Sequence, residues 1–227
     1  MLATRLLPFL ILLPALLYAG NKTIHISYIP VYNGKQVVFE EQYYPLPGAD
    51  SVAFDVFKMY ISHITFYHAG SEVFTENESH LLQLHTGQHT IHLDMPAGTT
   101  YDEIRFDMGI DSATNVAGAL SGDLDPANGM YWAWQSGYIN VKLEGRSNIC
   151  PTRNHEFSFH LGGYMPPGYA MQHIALKSTD SNINIHVQLD SFLNQTNLHQ
   201  QNTVMIPGAE AVELAKKLAN TFIITAR

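Results

Sequence analysis

Cysteine is nearly absent from this sequence: Cys150 is the only one among 227 residues. One thiol cannot form a disulfide within the chain, and it cannot supply the thiolate clusters of structural zinc or iron–sulfur centres. Any transition metal bound by this chain would therefore depend on His, Met, Asp or Glu side chains. Cys150 itself would be either a free thiol or the partner of a cysteine on another chain.

Positive charge is also scarce. The chain has 12 Lys and Arg residues against 20 Asp and Glu residues, which gives a formal net charge of -8 with histidine neutral. A nucleic-acid-binding surface needs clustered basic side chains that neutralise phosphates. The charge balance therefore argues against a nucleic-acid partner.

Long apolar runs are missing beyond the start of the chain. Met1–Arg5 carries positive charge, Leu6–Leu17 is apolar, and Tyr18-Ala19-Gly20 ends in small residues. This order is typical of a secretory signal peptide, and the apolar run is shorter than the ~20 residues that span a bilayer. We predict a signal peptide over 1–20, a periplasmic or secreted location, and one domain without a membrane span over 21–227. An uncleaved membrane anchor is the alternative.

Alternating apolar and polar residues predict a mostly β fold. Within Lys22–Pro30, the side chains of Ile24, Ile26 and Tyr28 recur at every second position and would line one face of a strand. Phe54–Tyr67 is a longer stretch rich in aromatic and β-branched residues, which favour strands. Because further short strand patterns follow without alternating helices, we predict an antiparallel β-sandwich.

One short helix is predicted near the C-terminus. Pro207-Gly208 precedes Ala209–Asn220, in which glutamates come early and lysines late, as the helix dipole prefers. We expect this helix to pack on a sheet through an apolar stripe that consists of Val212, Ala215, Leu218 and Ala219.

The segment Gly109–Tyr131 breaks the strand pattern, since it is rich in Gly, Asp, Asn and Ala and has no period. A loop this long in a compact domain is commonly functional. Its carboxylates, Asp111, Asp123 and Asp125, are oxygen donors of the kind that Ca²⁺ prefers, but their order does not match an EF-hand loop. We favour a role for these carboxylates in turns and helix caps.

Twelve histidines and a pair of tryptophans are the most conspicuous side chains. Imidazole is the commonest transition-metal ligand, although most histidines on strands are ordinary surface or half-buried residues. Trp132 and Trp134 lie two residues apart in MYWAWQSGY, so in a strand they would share one face. Such a face is either a wall of the core or a binding platform, for example for carbohydrate.

Sequence motifs of enzymatic catalysis are missing. We find no nucleophile elbow, phosphate-binding loop or dinucleotide-binding fingerprint. We therefore predict that the protein is not an enzyme and has no catalytic residues.

Two segments resemble a known family. These are GIDSATNVAGALSGDLDPANGMYWAWQSGYINVKLEG at Gly109–Gly145 and FSFHLGG at Phe157–Gly163. Both are similar to the MbnP family, the methanobactin-associated copper-binding proteins and their bacterial relatives. MYISHITF at Met59–Phe66 and IPGAEAVELAKKLANTF at Ile206–Phe222 are further landmarks, so the resemblance covers nearly all of the mature chain. It looks closest to the branch common in Bacteroidota.

This resemblance implies an exported β-sandwich that binds or handles copper through histidines. His160 occupies the histidine of the FHLGG motif, and His80 is similar to the histidine that opens a short strand in this branch. Together with His63 of the MYISHITF run, they are the expected metal ligands. Two positions differ from the family pattern. Asn115-Val116 stands where the copper-binding branch is expected to have Asn-His, and His63 stands where many relatives have Asn.

The resemblance also implies a redox partner. In some relatives a tryptophan is oxidised by a di-haem cytochrome c peroxidase-like protein, and Trp132 and Trp134 match the family's WxW motif. The alternative is a metal-free binding module that recognises a protein or a carbohydrate through these tryptophans.

Overall fold

The computed structural model describes residues 20–135 and 137–225. The predicted signal peptide, residues 1–20, therefore lies outside the described residues except for Gly20. None of the helices in the described part of the chain is both long enough and apolar enough to cross a membrane.

Within these residues the chain forms fifteen strands. In chain order they are β1 (Asn21–Tyr32), β2 (Lys35–Gln36), β3 (Tyr44–Pro45), β4 (Ser51–His68), β5 (Ser71–Glu76), β6 (His80–Gln83), β7 (Thr90–Pro96), β8 (Glu103–Met108), β9 (Tyr131–Trp132), β10 (Gly137–Ser147), β11 (Glu156–Gly162), β12 (Gln172–Lys177), β13 (Asn182–Gln188), β14 (Thr203–Val204) and β15 (Phe222–Ile224).

The strands form two sheets. The smaller sheet has the order β15-β13-β1-β2, with β7 also paired to β1. The larger sheet has the order β12-β8-β4-β10-β11-β14, and β3, β5 and β6 pair with β4 as well. The mostly β, sandwich-like architecture is confirmed. Two pairs, β1–β13 and β11–β14, are parallel, and the other pairs are antiparallel as predicted.

The core lies between the two sheets. Ile24, Ile26 and Tyr28 of β1 are fully buried, which confirms the predicted alternation. The ring of Tyr28 meets that of Phe106 from β8 edge to face, with 5.5 Å between centroids. Cys150 is a free thiol buried in this core, and burial raises its pKa to about 11, so it is poorly reactive.

In the described part of the chain three α-helices accompany the sheets, where the sequence predicted one. The predicted helix is α3 (Ala209–Ala219), while α1 (Ser112–Val116) and α2 (Leu189–Asn194) are too short to show a helical period. The buried side of α3 also differs from the predicted stripe, because Val212 and Ala219 are only partly buried. The residues that α3 buries are Ala211, Leu214, Ala215 and Leu218.

One edge of β4 is shared by two strands. β4 pairs with β10 through Val52–Met59 and with β8 through Ile61–Tyr67. β6 pairs with Lys58–Ile61, a stretch that overlaps both, so it must occupy the opposite edge. The strands β8 and β10 therefore lie end to end along one edge of β4. The chain between them leaves and returns at the same place.

The described part of that connection, residues 109–135, is here called the central segment. It covers part of the outer face of the larger sheet through a second hydrophobic cluster. The cluster consists of Tyr60, Leu81, Ile110, Met130, Trp132, Tyr138 and Ile139. The segment is therefore a packed layer and not a free loop.

Tyr138 fastens the central segment to the sheet. Its hydroxyl accepts a hydrogen bond from the amide of Leu120 at 3.0 Å. It also lies 3.1 Å from the carbonyl of Gly118 and 3.0 Å from that of Leu124, to which it can donate. One phenol thus satisfies backbone groups that have no strand partner.

Replacing Tyr138 with Phe should lower the free energy of unfolding by about 0.5–1.5 kcal/mol, the net contribution of a hydrogen bond, because the backbone groups that it pairs are only part-buried. Chemical denaturation measures this change. Amide hydrogen exchange within 118–124 should also become faster. The matched control is Tyr43→Phe, because Tyr43 is 54% exposed and its loss should change stability by less than about 0.5 kcal/mol. Equal stability and equal exchange in Tyr138→Phe and wild type would contradict this role.

Candidate functional site

A row of polar side chains crosses β4, β8 and β12 on the outer face of the larger sheet. Ser62 of β4 pairs with Asp107 of β8, and Asp107 pairs with His173 of β12. The pairing between β4 and β8 shifts between Ser62 and Thr65, and His63 within this bulge has a positive φ of 49°. A bulge re-aims the side chain it contains, and a positive φ in a residue other than glycine is commonly kept for function.

The bulge places His63 between two carboxylates. Its Nδ1 lies 3.0 Å from Oδ2 of Asp107, and its Nε2 lies 3.5 Å from Oδ2 of Asp111. Nδ1 of His173 is hydrogen-bonded to the other oxygen of Asp107. Two imidazoles therefore share one carboxylate, and a second carboxylate faces the far nitrogen of one of them. We call His63, Asp107, Asp111 and His173 the histidine–aspartate cluster.

Both carboxylates reach His63 because the chain turns at Gly109. This glycine has a φ of +127°, and a Cβ here would lie 2.6 Å from Cγ of Asn140. The Gly109 carbonyl accepts a hydrogen bond from Ser62 Oγ at 2.8 Å, and the Ile110 amide donates to Asn140 Oδ1 at 3.0 Å. The turn needs glycine both for its backbone conformation and for this close approach.

The cluster carries negative charge. Burial alone would raise the pKa of Asp111, but hydrogen bonds from Thr114 and the nearby His63 outweigh burial and leave this pKa below its usual value. Burial, together with the charges of Asp107 and Asp111, raises the pKa of Tyr169. Asp111 therefore stays ionised at neutral pH and favours a cation in this place.

The donor atoms of the cluster are directed at one another. Among residues 20–135 and 137–225, no three His, Cys, Asp or Glu side chains form a ready-made metal site. Asp107 is nearly covered, with 12% of its side chain exposed, whereas the His63 and His173 side chains are 39% and 75% exposed. The two imidazoles are therefore accessible from solvent, and a cation would have to replace the hydrogen bonds between the rings and Asp107.

His173 and Asp107 were not among the predicted site residues. The sequence offers each only as an ordinary polar position in a strand, and they meet because β8 lies between β4 and β12. His63 was predicted as a ligand, and its contacts with Asp107 and Asp111 follow from the bulge and the turn at Gly109, neither of which has a sequence signature.

His160 lies in a second polar row, on β11. Its Nε2 is hydrogen-bonded to Oε1 of Glu144 at 2.6 Å, and its side chain is 8% exposed. Lys142 Nζ lies 3.5 Å from the same Glu144 oxygen. Next in the row, Lys58 donates to the carbonyl of Asn128 at 3.0 Å, which ties the row to the central segment. His160 therefore takes part in an ion-pair network between the sheet and the segment that covers it.

His80 lies on the opposite edge of β4 from Asp107, because Ile61 pairs with His80 of β6 on one edge and with β8 on the other. Its Nε2 is buried and has no hydrogen-bond partner among the described residues. An open cleft beside it is lined by Thr114 and Asp123 of the central segment.

The structure does not bring the three predicted histidines together. The rows that contain His160 and His63 cross β4 at Lys58 and Ser62, which places them about 13 Å apart at ~3.3 Å per residue. His80 is separated from both by the backbone of β4. A ligand role for each of the three stays a prediction.

The two tryptophans do not share a strand face. β9 ends at Trp132, which is 7% exposed and packs against the backbone of Gly162. Trp134 follows in a turn and is 65% exposed, with 5.9 Å between the centroids of the two rings. The expectation of a shared face was wrong because the hydrogen bond from the Gln135 amide to the Trp132 carbonyl closes a turn at this point.

The three carboxylates of the central segment each accept hydrogen bonds from backbone amides. Asp111 accepts from Thr114 at 2.8 Å and caps α1, while Asp125 accepts from Ala127 at 2.8 Å at the start of a short 3₁₀ turn. Asp123 accepts from the amide of Leu81 at 2.8 Å and thereby holds β6. The contacts of Asp111 and Asp125 agree with the predicted role in caps and turns, whereas Asp123 joins two distant parts of the chain.

The hydrogen bond from His160 lowers the pKa of Glu144 and outweighs the effect of burial. A lowered folded-state pKa adds stability above the unfolded value of about 4.3, and this stability is lost as the pH falls through the folded value. Glu144→Gln should therefore destabilise the protein by about 1 kcal/mol at pH 7, since the pair is partly solvated, and by less near pH 3.

Thermal or chemical unfolding across this pH range measures the difference. Glu213→Gln is the control, because the exposed pair of Glu213 with Lys217 on α3 should be worth less than about 0.5 kcal/mol. A destabilisation by Glu144→Gln that stays constant from pH 7 to pH 3 would contradict the assignment.

Comparison with known proteins places the fold in a family. The sequence matches the family model described as MbnP over residues 21–206. Among solved structures, MbnP from Methylosinus trichosporium matches with a TM-score of 0.58 and 15% sequence identity, over 82% of this chain and 83% of that chain. At this identity the likeness shows the fold alone. A comparison with curated proteins gave no match. Because the family model covers most of its length, the chain belongs to the MbnP family.

Proposed function

We propose that this protein is an exported copper-binding protein of the MbnP type, which holds copper or delivers it to a partner and is not itself an enzyme. Family membership supports the copper-related role. The start of the sequence supports export to the periplasm or beyond the cell. The binding site proposed for copper is the histidine–aspartate cluster.

The observation that carries this proposal is the sharing of Asp107 by His63 and His173. Two imidazoles on one carboxylate form a donor set that suits copper and other borderline transition metals. The oxygen donors favour Cu(II) over Cu(I), which prefers softer ligands. Asp111 would add a second carboxylate or orient His63 by a hydrogen bond to its Nε2.

The residues present fit a copper ion in their chemistry, and the fit requires movement. A metal that replaces the hydrogen bonds between the imidazoles and Asp107 needs nitrogens about 2 Å away. Rotation of the exposed His63 and His173 side chains can supply this adjustment, because both rings face an open cleft. Copper would bring the Lewis acidity and redox chemistry that this chain lacks on its own.

This member has Asn115-Val116 where the copper-binding branch is expected to have Asn-His, so the histidine of that pair is missing. Asn115 is buried, and its carboxamide accepts from the amide of Tyr138 at 2.8 Å and donates to the carbonyl of Ile110 at 3.0 Å. Val116, in place of the histidine, is 74% exposed and offers no ligand atom. Copper in this protein would therefore depend on histidines elsewhere, and His63 and His173 supply such a pair.

A di-haem cytochrome c peroxidase-like protein is the proposed partner. Oxidation of a tryptophan by such a protein requires a side chain that the partner can approach. Trp134, which is 65% exposed, meets this requirement better than Trp132, which is 7% exposed. After co-expression with the partner, peptide mass spectrometry should find added oxygen on Trp134, and modification of Trp132 alone would contradict this choice.

A metal-free binding module is the second candidate function. Gln135, which follows the exposed Trp134 in the chain, lines a cleft with Met165, Pro166 and Pro207, and Ile206, which precedes Pro207, is 63% exposed. An aromatic ring among exposed apolar groups is a common platform for a protein or a sugar. This function would be favoured if the protein bound no copper and Trp134→Ala abolished binding to a glycan or protein ligand.

The copper proposal predicts that the mature protein binds one equivalent of Cu(II) through the cluster. His63→Ala and His173→Ala should each weaken this binding at least tenfold, since each removes a nitrogen ligand. Asp107→Asn should weaken it as well, because the amide cannot bridge two imidazoles as an anion. Calorimetric titration gives the affinity, and electron paramagnetic resonance counts the coordinated nitrogens.

His199→Ala is the matched control, because His199 is exposed and lies on the segment between α2 and β14. It should leave affinity and spectrum unchanged. If the double variant His63→Ala/His173→Ala bound Cu(II) as tightly as wild type and with the same spectrum, the assignment of copper to this cluster would be refuted.

A further inference from the structure

Two histidines face each other across β1 and β7 on the smaller sheet. His25 and His92 are direct partners in this antiparallel register. Their Nδ1 atoms lie 2.7 Å apart, and the rings meet edge to face with 4.8 Å between centroids. Both rings are at least partly exposed on the outer face of the sheet. This is a pair of imidazoles whose nitrogens already converge.

We propose that His25 and His92 form a second metal site, which binds a borderline divalent cation such as Zn²⁺, Ni²⁺ or Cu²⁺. The proposal is independent of the copper function, because the pair lies on the opposite sheet from the histidine–aspartate cluster. It rests on two observations. The two nitrogens converge, and the neighbouring cross-strand pairs make their hydrogen bonds to each other and not to the histidines.

The neighbouring cross-strand pairs are satisfied without the histidines. Thr23 Oγ1 donates to Oδ1 of Asp94 at 2.8 Å on one side, and the hydroxyls of Ser27 and Thr90 are 2.9 Å apart on the other. The histidine pair is therefore held in register by the strands and by its neighbours. Asp94, two residues after His92 on the same face, adds a negative charge that favours a cation.

Metal insertion requires little movement. Metal–imidazole bonds of about 2.0–2.1 Å in a tetrahedral arrangement place the two nitrogens about 3.3 Å apart. The present separation of 2.7 Å must therefore widen only slightly, and side-chain rotation at a partly exposed position achieves this. Water or buffer would complete the coordination.

The proton balance is also simple. In the neutral pair one Nδ1 carries a proton and donates a hydrogen bond to the other Nδ1. When a metal binds both Nδ1 atoms, the donating ring moves this proton to its own Nε2 by exchange with water. Both imidazoles remain neutral, as metal ligands must, and no proton is released overall.

The test is a calorimetric titration of the mature protein with Zn²⁺ at pH 7.5. Two equivalents should bind to wild type, one at each site. His25→Gln/His92→Gln, which keeps polar side chains on both strands, should lose one equivalent or bind it at least tenfold more weakly. Single variants should show the same loss, because one imidazole alone is a poor site. Circular dichroism confirms that the exposed substitutions leave the fold intact.

His186→Ala is the matched control, because His186 lies on the neighbouring strand β13 and alternates with buried residues in the same way. It should keep both equivalents. Unchanged stoichiometry and affinity in His25→Gln/His92→Gln would overturn the proposal. The variant His63→Ala/His173→Ala should lose the Zn²⁺ equivalent bound at the histidine–aspartate cluster and keep the one at His25 and His92. The two proposed sites are therefore tested independently of each other.

Discussion

The junction at which β8 ends and β10 begins, on one edge of β4, is the constraint on which the rest of the larger sheet depends. Gly109 makes the turn there, and its amide donates to the carbonyl of Tyr60 at 2.9 Å. The Oδ1 of Asn140 accepts a hydrogen bond from the amide of Ile110. A side chain thus replaces the backbone partner that this amide lacks between the ends of β8 and β10. Because buried backbone groups must be paired, these two hydrogen bonds allow a long irregular segment to leave the sheet with the amides of Gly109 and Ile110 satisfied.

Two polar rows on either side of this junction have different chemistry. The row that contains His160 and Glu144 has lysines beside the carboxylate, so its charges are compensated and it fastens the sheet to the central segment. The row that contains His63, Asp107 and His173 is partly open to solvent, and its carboxylate, Asp107, is paired with two imidazoles. A cation can compete with a proton for an imidazole, whereas it gains little beside a lysine. The copper proposal therefore belongs to the second row.

Much of the fold follows from local patterns in the sequence. The alternation of Ile24, Ile26 and Tyr28 is enough to define β1, and the charge order of Ala209–Ala219 is enough to define α3. The site was less predictable, because Asp107 and His173 come together with His63 only when β8 lies between β4 and β12. Trp134 leaves the strand face through a single turn hydrogen bond. Tertiary pairing, for which a single sequence has no local signal, decided the case of Asp107 and His173, whereas a local turn decided that of Trp134.

The central claim is that copper binds between His63 and His173, and diffraction from crystals of the mature protein soaked with one equivalent of Cu(II) tests it most directly. An anomalous difference map at the copper absorption edge should show its strongest peak about 2 Å from a ring nitrogen of both histidines, beside Asp107. A strongest peak at His80 or His160, or no peak at all, would contradict the claim.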